Sequence, residues 1–578
     1  MSRTPHYDAK IKVILDALQP GERVCEFTGE KWMMDEEEIS WYKKFSVPPS
    51  RLAPMTRWKN AIGFYAGYQW WWNKHAETGK PVLTYVHPVT GFTVLPDVEW
   101  FDRDFSDQAQ TYDPQQSFLT QFAELQKRVP VLATLNNKET HHSIAMVSNG
   151  DVNSYFVVAC ISRDAFFSIN GIGERFMEIS NSRQVHDGFR VVDSENIHNA
   201  RYILASKNCV NVSFLFDCRD VTDSFFAWNK RHKKYLWFNE QLSKEEYERR
   251  IATIDFSSRA ILKDYERQFF AMIASQAIWP ETFNVNAQES SGEYLTDVYH
   301  CKNSFLCWNG SKDLYWVIHG YDRAERCAFV TGTYSASDLY YCCTVANSSC
   351  CLFSFHIIGC QNMEYCMQCF NCENCFGCVG LRNKKFHIFN QPYSEEEYWQ
   401  RVDELKCAML EKGEYGEFFP LSFCHSYLPQ SGPGLYLLCE EEEYKRLGWE
   451  LFDPESHGAI GIDLSEGAQP LSMNQIPDRL DASCMDLAGK PLFDDQLKRR
   501  FAFIKPELNY YKEHGLPLPN EHFISRVQKI VWMSNGAVFE NRNCMACHKD
   551  MRIAKNKMFL YRTVYCRSCY DIFLEKEG

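Results

Sequence analysis

The sequence predicts a mainly β fold with interspersed helices, in which two tandem duplicated β-solenoid-like repeats are flanked by zinc-ribbon-like end modules. Three observations predict it. The middle of the chain matches itself at a shift of 151 residues. Each copy carries a shorter beat of about 12 residues. The two ends match each other at a shift of 469, and the later copy closes on a doubled Cys-x-x-Cys.

The internal match is clearest between Trp228–Tyr247 and Val379–Tyr398, where Arg231, Lys233, Lys234, Phe238, Asn239, Ser243, Glu246 and Tyr247 recur 151 residues later. Cys209 and Cys218 likewise recur as Cys360 and Cys369. The short beat is an Asn, Asp or Ser followed by an aromatic or cysteine, near 153, 164, 187, 199, 211 and 223, and again near 303, 313, 338, 350, 362 and 374. So short a period cannot bury its own apolar face and must stack on neighbours, which suits a solenoid. A meandering sheet of short strands is the alternative.

Helices punctuate the repeats. Asp113-Pro114 offers an N-cap before Phe118, Phe122 and Leu125. Ser243 with Glu246, and Ser394 with Glu397, read as capping boxes. The helix after Ser243 is expected to reach Pro280, with room for a break. The chain then divides into a degenerate zinc-ribbon-like module (1–110), a first repeat with its leading helix (111–242) and a helical connector (243–285). A second, Cys-rich repeat with a closing helix (286–411), a linker (412–480) and a C-terminal zinc-ribbon module (481–578) follow.

Composition limits the function. The chain has 578 residues, 45% of them apolar, which suffices for several cored domains and excludes a disordered tail. Its net charge of −13 argues against a broad electrostatic grip on nucleic acid. The first residues lack a long apolar run and carry Asp8, Asp16 and Glu22, so no signal peptide is expected. No stretch approaches 18 apolar residues, so no membrane contact is expected either. A cytoplasmic, reducing setting follows, in which the 25 cysteines serve as thiols or metal ligands.

Cys544, Cys547, Cys566 and Cys569 form the strongest motif. Two tight Cys-x-x-Cys turns, separated by 18 residues, can point four sulfurs at one ion, as a tetrahedral structural Zn²⁺ site requires. Four protein ligands leave no open position, so the zinc should be structural. His548 is expected at the surface. At the N-terminal end, His75, Thr78 and 95–98 stand where ligands would fall, so an apolar core without metal is expected there. Cys25 with 53–56, and Cys484 with the region of His522, read as further ribbons that each keep one cysteine and hold no zinc.

Cys366, Cys369, Cys372, Cys375 and Cys378 recur every third residue. Such spacing suits an iron–sulfur or second metal site, a redox switch, or a packing ladder. The internal duplicate has Leu215, Cys218, Val221, Ser224 and Ala227 at these positions, which favours packing. Trp70, Trp71 and Trp72, near Arg57, Lys59 and Lys74, are either a base-stacking surface or core. The runs Arg231, Lys233, Lys234 and Arg382, Lys384, Lys385 are either phosphate contacts or solvated turns. No Walker loop, G-x-S-x-G or H-E-x-x-H occurs, no catalytic residue is assigned, and the balance leans away from an enzyme.

CEFTGEKW, SFLTQFAELQKRVP, FNCENCFGCVGLRNKKFHIFNQPYSEEEY, YGEFFP, ELNYYKEHGLPLP and NCMACHK…VYCRSCY resemble a family of uncharacterised proteins of Patescibacteria, with zinc-ribbon-like ends around a cysteine-ladder middle. The resemblance implies that architecture and a cytosolic setting, and carries no activity. The chain departs from the family pattern in its missing N-terminal ribbon cysteines. The expected function is a non-catalytic zinc-ribbon binding or scaffold protein that contacts RNA or a ribonucleoprotein assembly. The alternatives are a structural protein that self-assembles as a homo-oligomer, or a cytosolic thiol or metal redox protein using the Cys366–Cys378 ladder.

Overall fold

The computed structural model describes residues 3–455 and 470–578. They form a mainly β structure with large parallel sheets and no closed barrel. No helix among them is long and apolar enough to cross a membrane. The chain folds as two compact units, each discontinuous in sequence: Met1–Leu135 with Asn284–Gly458, and Asn136–Phe283 with Ala459–Gly578. Each end module thus shares a unit with the sequence repeat farther from it.

In the unit built on the first repeat, an eight-stranded sheet runs in sequence order. Its middle strands are parallel and pair at an offset of 12, as in Arg183↔Glu195, Glu195↔Lys207 and Val210↔Thr222. The other unit repeats that offset in Glu325↔Ser337, Ser337↔Ser349, Ser349↔Gln361, Gln361↔Glu373 and Glu373↔Lys385.

Within each 12-residue step the backbone has a finer period of three. From Asn196 to Asp223 every third residue has a left-handed φ, between 46° and 61°. The residue after each of these corners is buried: Ile197, Ala200, Ile203, Ser206, Cys209, Val212, Leu215, Cys218, Val221 and Ser224. A left-handed corner costs a non-glycine residue about 1–2 kcal/mol, which Asn and Asp bear best. Asn196 donates to Asn208 (2.9 Å) and Asn208 to Asp220 (2.9 Å), so stacked amides offset the corner cost. Aromatic columns occupy another corner: Tyr202, Phe214, Phe226 and Phe238 stack with centroids 4.6, 4.7 and 4.5 Å apart.

The end modules lay helices on these sheets. Tyr42, from helix Glu36–Phe45, and Arg57, from helix Pro54–Gly63, both bond Glu38. Arg57 is fully buried and lies 3.8 Å over the ring of Phe329. In the other unit, Glu507, Tyr511 and Arg526 stand 469 residues later and repeat this group. Arg526 donates to Tyr511 (2.9 Å) and to Glu178, which stands 151 residues before Phe329.

Three expectations change. The helix Phe118–Arg128 is capped by Ser117, whose hydroxyl accepts from Thr120 N–H, and not by Asp113. The helix after Ser243 has the break allowed for, between Lys244–Ile251 and Arg259–Ser275, but it stops short of Pro280. The segment expected as a linker, 412–480, contributes core up to residue 455: Tyr415, Phe418, Phe419, Leu428 and Tyr436 are all buried. Its residues 456–469 lie outside the described set.

Candidate metal centre

The hairpin Asn535–Asn543 with Asp550–Asn556 ends on the pair Asn543↔Asp550, leaving a six-residue turn, 544–549. Cys544 N–H donates to Lys549 O (2.8 Å) and His548 N–H to Cys544 O (2.8 Å). His548 is exposed and closes the turn with φ 61°. This geometry curls Cys547 back beside Cys544. The second pair comes from a strand-to-helix junction: Thr563–Tyr565 leads into Cys566, the N-cap residue of helix Arg567–Glu577, and Cys569 follows in its first turn. Met545 N–H donates to Val564 O (3.1 Å) and joins the two halves.

The four Sγ atoms lie within 4.8 Å of one another, and those of Cys547 and Cys566 are 3.7 Å apart. Tetrahedral bonds of about 2.3 Å place sulfurs about 3.8 Å apart, so the set fits one metal ion. Burial alone would raise the Cys544 thiol, but N–H groups of Cys566, Cys547 and Ala546 outweigh it and hold its pKa at about 6. The Cys566 N–H···Sγ contact is 3.2 Å. Among the described residues this is the only cluster of metal-type side chains so closely gathered.

The same turn-and-helix arrangement recurs three times with other residues in the ligand places. In the hairpin Trp71–Lys74/Pro81–Thr84, His75 stands for Cys544: its N–H donates to Lys80 O (2.8 Å), and Gly79, at φ 67°, takes the corner of His548. His75 Nδ1 accepts from Glu77 and Thr78 N–H (3.1 and 3.2 Å), while Nε2 meets Glu99 Oε2 at 3.0 Å. Glu99 sits three residues past the N-cap Pro96, as Cys569 does past Cys566. The expected apolar substitute is therefore a polar pair, because the turn's inward N–H groups need an acceptor when no thiolate is present.

In the hairpin Gly21–Val24/Lys31–Met34, Cys25 fills the first place, Gly29 the corner, and Cys25 Sγ donates to Thr56 Oγ1 (3.6 Å). The fourth copy does not use Cys484, which lies in the short helix Ala482–Leu487. It uses Asp494, at the turn of Leu492–Asp494/Arg499–Phe501. Asp494 Oδ1 accepts from Gln496 and Leu497 N–H (2.9 and 3.0 Å), and Oδ2 from His522 N–H (2.8 Å). Asp494 and Glu99 escaped the sequence reading because cysteine spacing alone marked the candidates. A carboxylate at a tight turn, or in the first turn of a helix, carries no such flag.

The other candidates disperse. Cys366, Cys369, Cys372, Cys375 and Cys378 are buried in one core cluster with Leu339, Val345, Ile357 and Leu381. Each thiol donates to the carbonyl two residues before it, at 3.3–3.6 Å. Trp70 and Trp71 are each 2% exposed, and Trp71 Nε1 donates to Gln69. Their faces meet protein, which corrects the base-stacking reading for both; Trp72 is half-buried. Arg231 pairs with Asp217 (3.1 Å), Lys384 with Asp104 (2.7 Å) and Lys385 with Glu373 (2.5 Å), while Arg382 donates to Arg103 O (2.9 Å). Lys233 is half-buried and Lys234 exposed.

A scan against models of known families finds no match, and a search of curated proteins finds none.

Proposed function

We propose that this is a non-catalytic binding or scaffold protein, whose C-terminal ribbon holds one structural Zn²⁺ and whose partner is an RNA-containing assembly. The observation that carries the reading is the convergence of four thiols on one point. Zinc suits an all-thiolate tetrahedron, and four protein ligands leave no position for substrate or water. The three look-alike turns support it further. They keep the shape while replacing the ligands with His75–Glu99, Cys25–Thr56 and Asp494, so shape is the common denominator.

The 12-residue register supports reading each parallel sheet as the wall of a β-solenoid, with the cysteine ladder as interior packing. Burial pushes the Cys366 and Cys369 thiols far up, which disfavours the thiolate there, while contacts with Cys360, Cys369 and Cys375 push the Cys372 thiol down.

Elemental analysis of the purified full chain tests the metal. One zinc per chain is the expected result, and several metal ions per chain would overturn the assignment. Cys566→Ser should lose the zinc and open 481–578 to limited proteolysis, with the other unit, 1–135 and 284–455, still resistant. Unchanged cleavage in that variant would contradict a structural role.

A further inference from the structure

We propose that the surface beside the C-terminal metal centre is the RNA-binding site, and that it takes single-stranded RNA with Tyr561 as the stacking platform. The proposal rests on the RNA reading above and names the surface that would carry it.

Charge is the first support. Between Arg542 and Arg567 there are seven lysines and arginines against one acid, Asp550, in a chain of net charge −13; of the seven, Arg562 is buried and Arg542 and Arg567 pair with Glu540 and Asp571, which leaves four. On strand Asp550–Asn556, Met551, Ile553 and Ala554 point into the core, which leaves Arg552 and Lys555 outward; Lys549, on the metal turn, is also exposed.

The second support is apolar surface that the fold does not use. Tyr561 is 92% exposed, Met545 59% and Leu560 52%. Folding gains little from these three side chains in the open. The loop that presents Tyr561 is nonetheless held firmly: Arg542 donates to Leu560 O (2.6 Å), Arg562 to Ala554 O (2.6 Å), and Phe559 is buried. Met545, between the first two ligands, is tied by its N–H to Val564 of the strand that follows this loop. The surface therefore combines a pre-positioned ring with cations that can follow a phosphate backbone. Bases stack on such rings whatever their sequence. A duplex would hide its base faces, so the single strand is the form that fits.

The test uses the zinc-loaded full chain and a labelled single-stranded RNA of about 12 nucleotides, read by fluorescence anisotropy. Tyr561→Ala should weaken binding roughly 5- to 150-fold with zinc content and Tm unchanged, while Tyr561→Phe keeps the affinity. Lys549→Gln combined with Lys555→Gln should flatten the slope of log K against log salt by about 1.4. If the chain binds this RNA and neither set of variants moves the affinity, this surface is wrong and the RNA reading stands. If the wild-type chain binds no RNA at low salt, both fall. If a purified protein partner is bound through Tyr561 while RNA is not, the surface is a protein contact and the proposal is overturned.

Discussion

At the scale of single residues, the turn of the metal centre shows how one backbone shape accepts different chemistry. The corner position is Gly29, Gly79, Lys498 and His548 in the four copies, all with φ between 55° and 67°. Glycine adopts that conformation freely, while a side chain there costs about 1–2 kcal/mol. His548→Gly should therefore raise the stability of the metal-loaded C-terminal module by up to about 1 kcal/mol, read as a rise in Tm. An unchanged or lowered Tm would show that the imidazole contributes something the turn needs. The doubled Cys-x-x-Cys was legible in the sequence because binding one metal ion through four thiols constrains residue type and spacing together. The Asp494 and His75–Glu99 turns were not, because a backbone N–H donates to any suitably placed oxygen or nitrogen.

At the scale of the strand, the 12-residue beat was visible because Asn and Asp mark left-handed corners. The finer step of three showed only in the Cys366–Cys378 ladder, since other corners carry aromatic residues such as Tyr202, Phe214 and Phe226 in place of Asn and Asp. What unites them is stacking with the residue 12 positions away. Asn211 accepts from Asn199 (2.9 Å) and donates to Asp223 (3.0 Å). Asn211→Ala should cost about 1–2 kcal/mol in chemical denaturation, through lost hydrogen bonds and a strained corner. Asn211→Gly should cost less, because glycine removes the strain. Equal losses would mean that the corner conformation carries no penalty there.

At the scale of the whole molecule, buried histidines predict acid sensitivity in the unit built on the second repeat. Burial holds the His319, His356 and His425 pKa values near 3, against about 6.5 in an open chain. The unfolded chain takes up protons as pH drops below about 6.5, while the folded chain resists until about pH 3. Stability is therefore present above pH 6.5 and is lost as pH falls toward 3, by up to about 1.4 kcal/mol per pH unit for each group. His356 packs against Phe355 and Phe370, and neither ring nitrogen has a hydrogen-bond partner among the described residues. His356→Phe should flatten the pH dependence of the denaturation midpoint over this window, and an unchanged slope would refute the assignment.

The 12-residue beat and the four-cysteine motif were readable from residue identities, because each depends on contacts near in sequence or on one residue type at a fixed spacing. Which end module shares a unit with which repeat was not, although both copies of the module carry the same buried Glu, Tyr and Arg. The distinction lies in what each arginine meets on a sheet that exists only once folded: Arg526 meets Glu178, and Arg57 meets the ring of Phe329. A buried guanidinium needs its partners in place, and those partners come together only through contacts hundreds of residues apart.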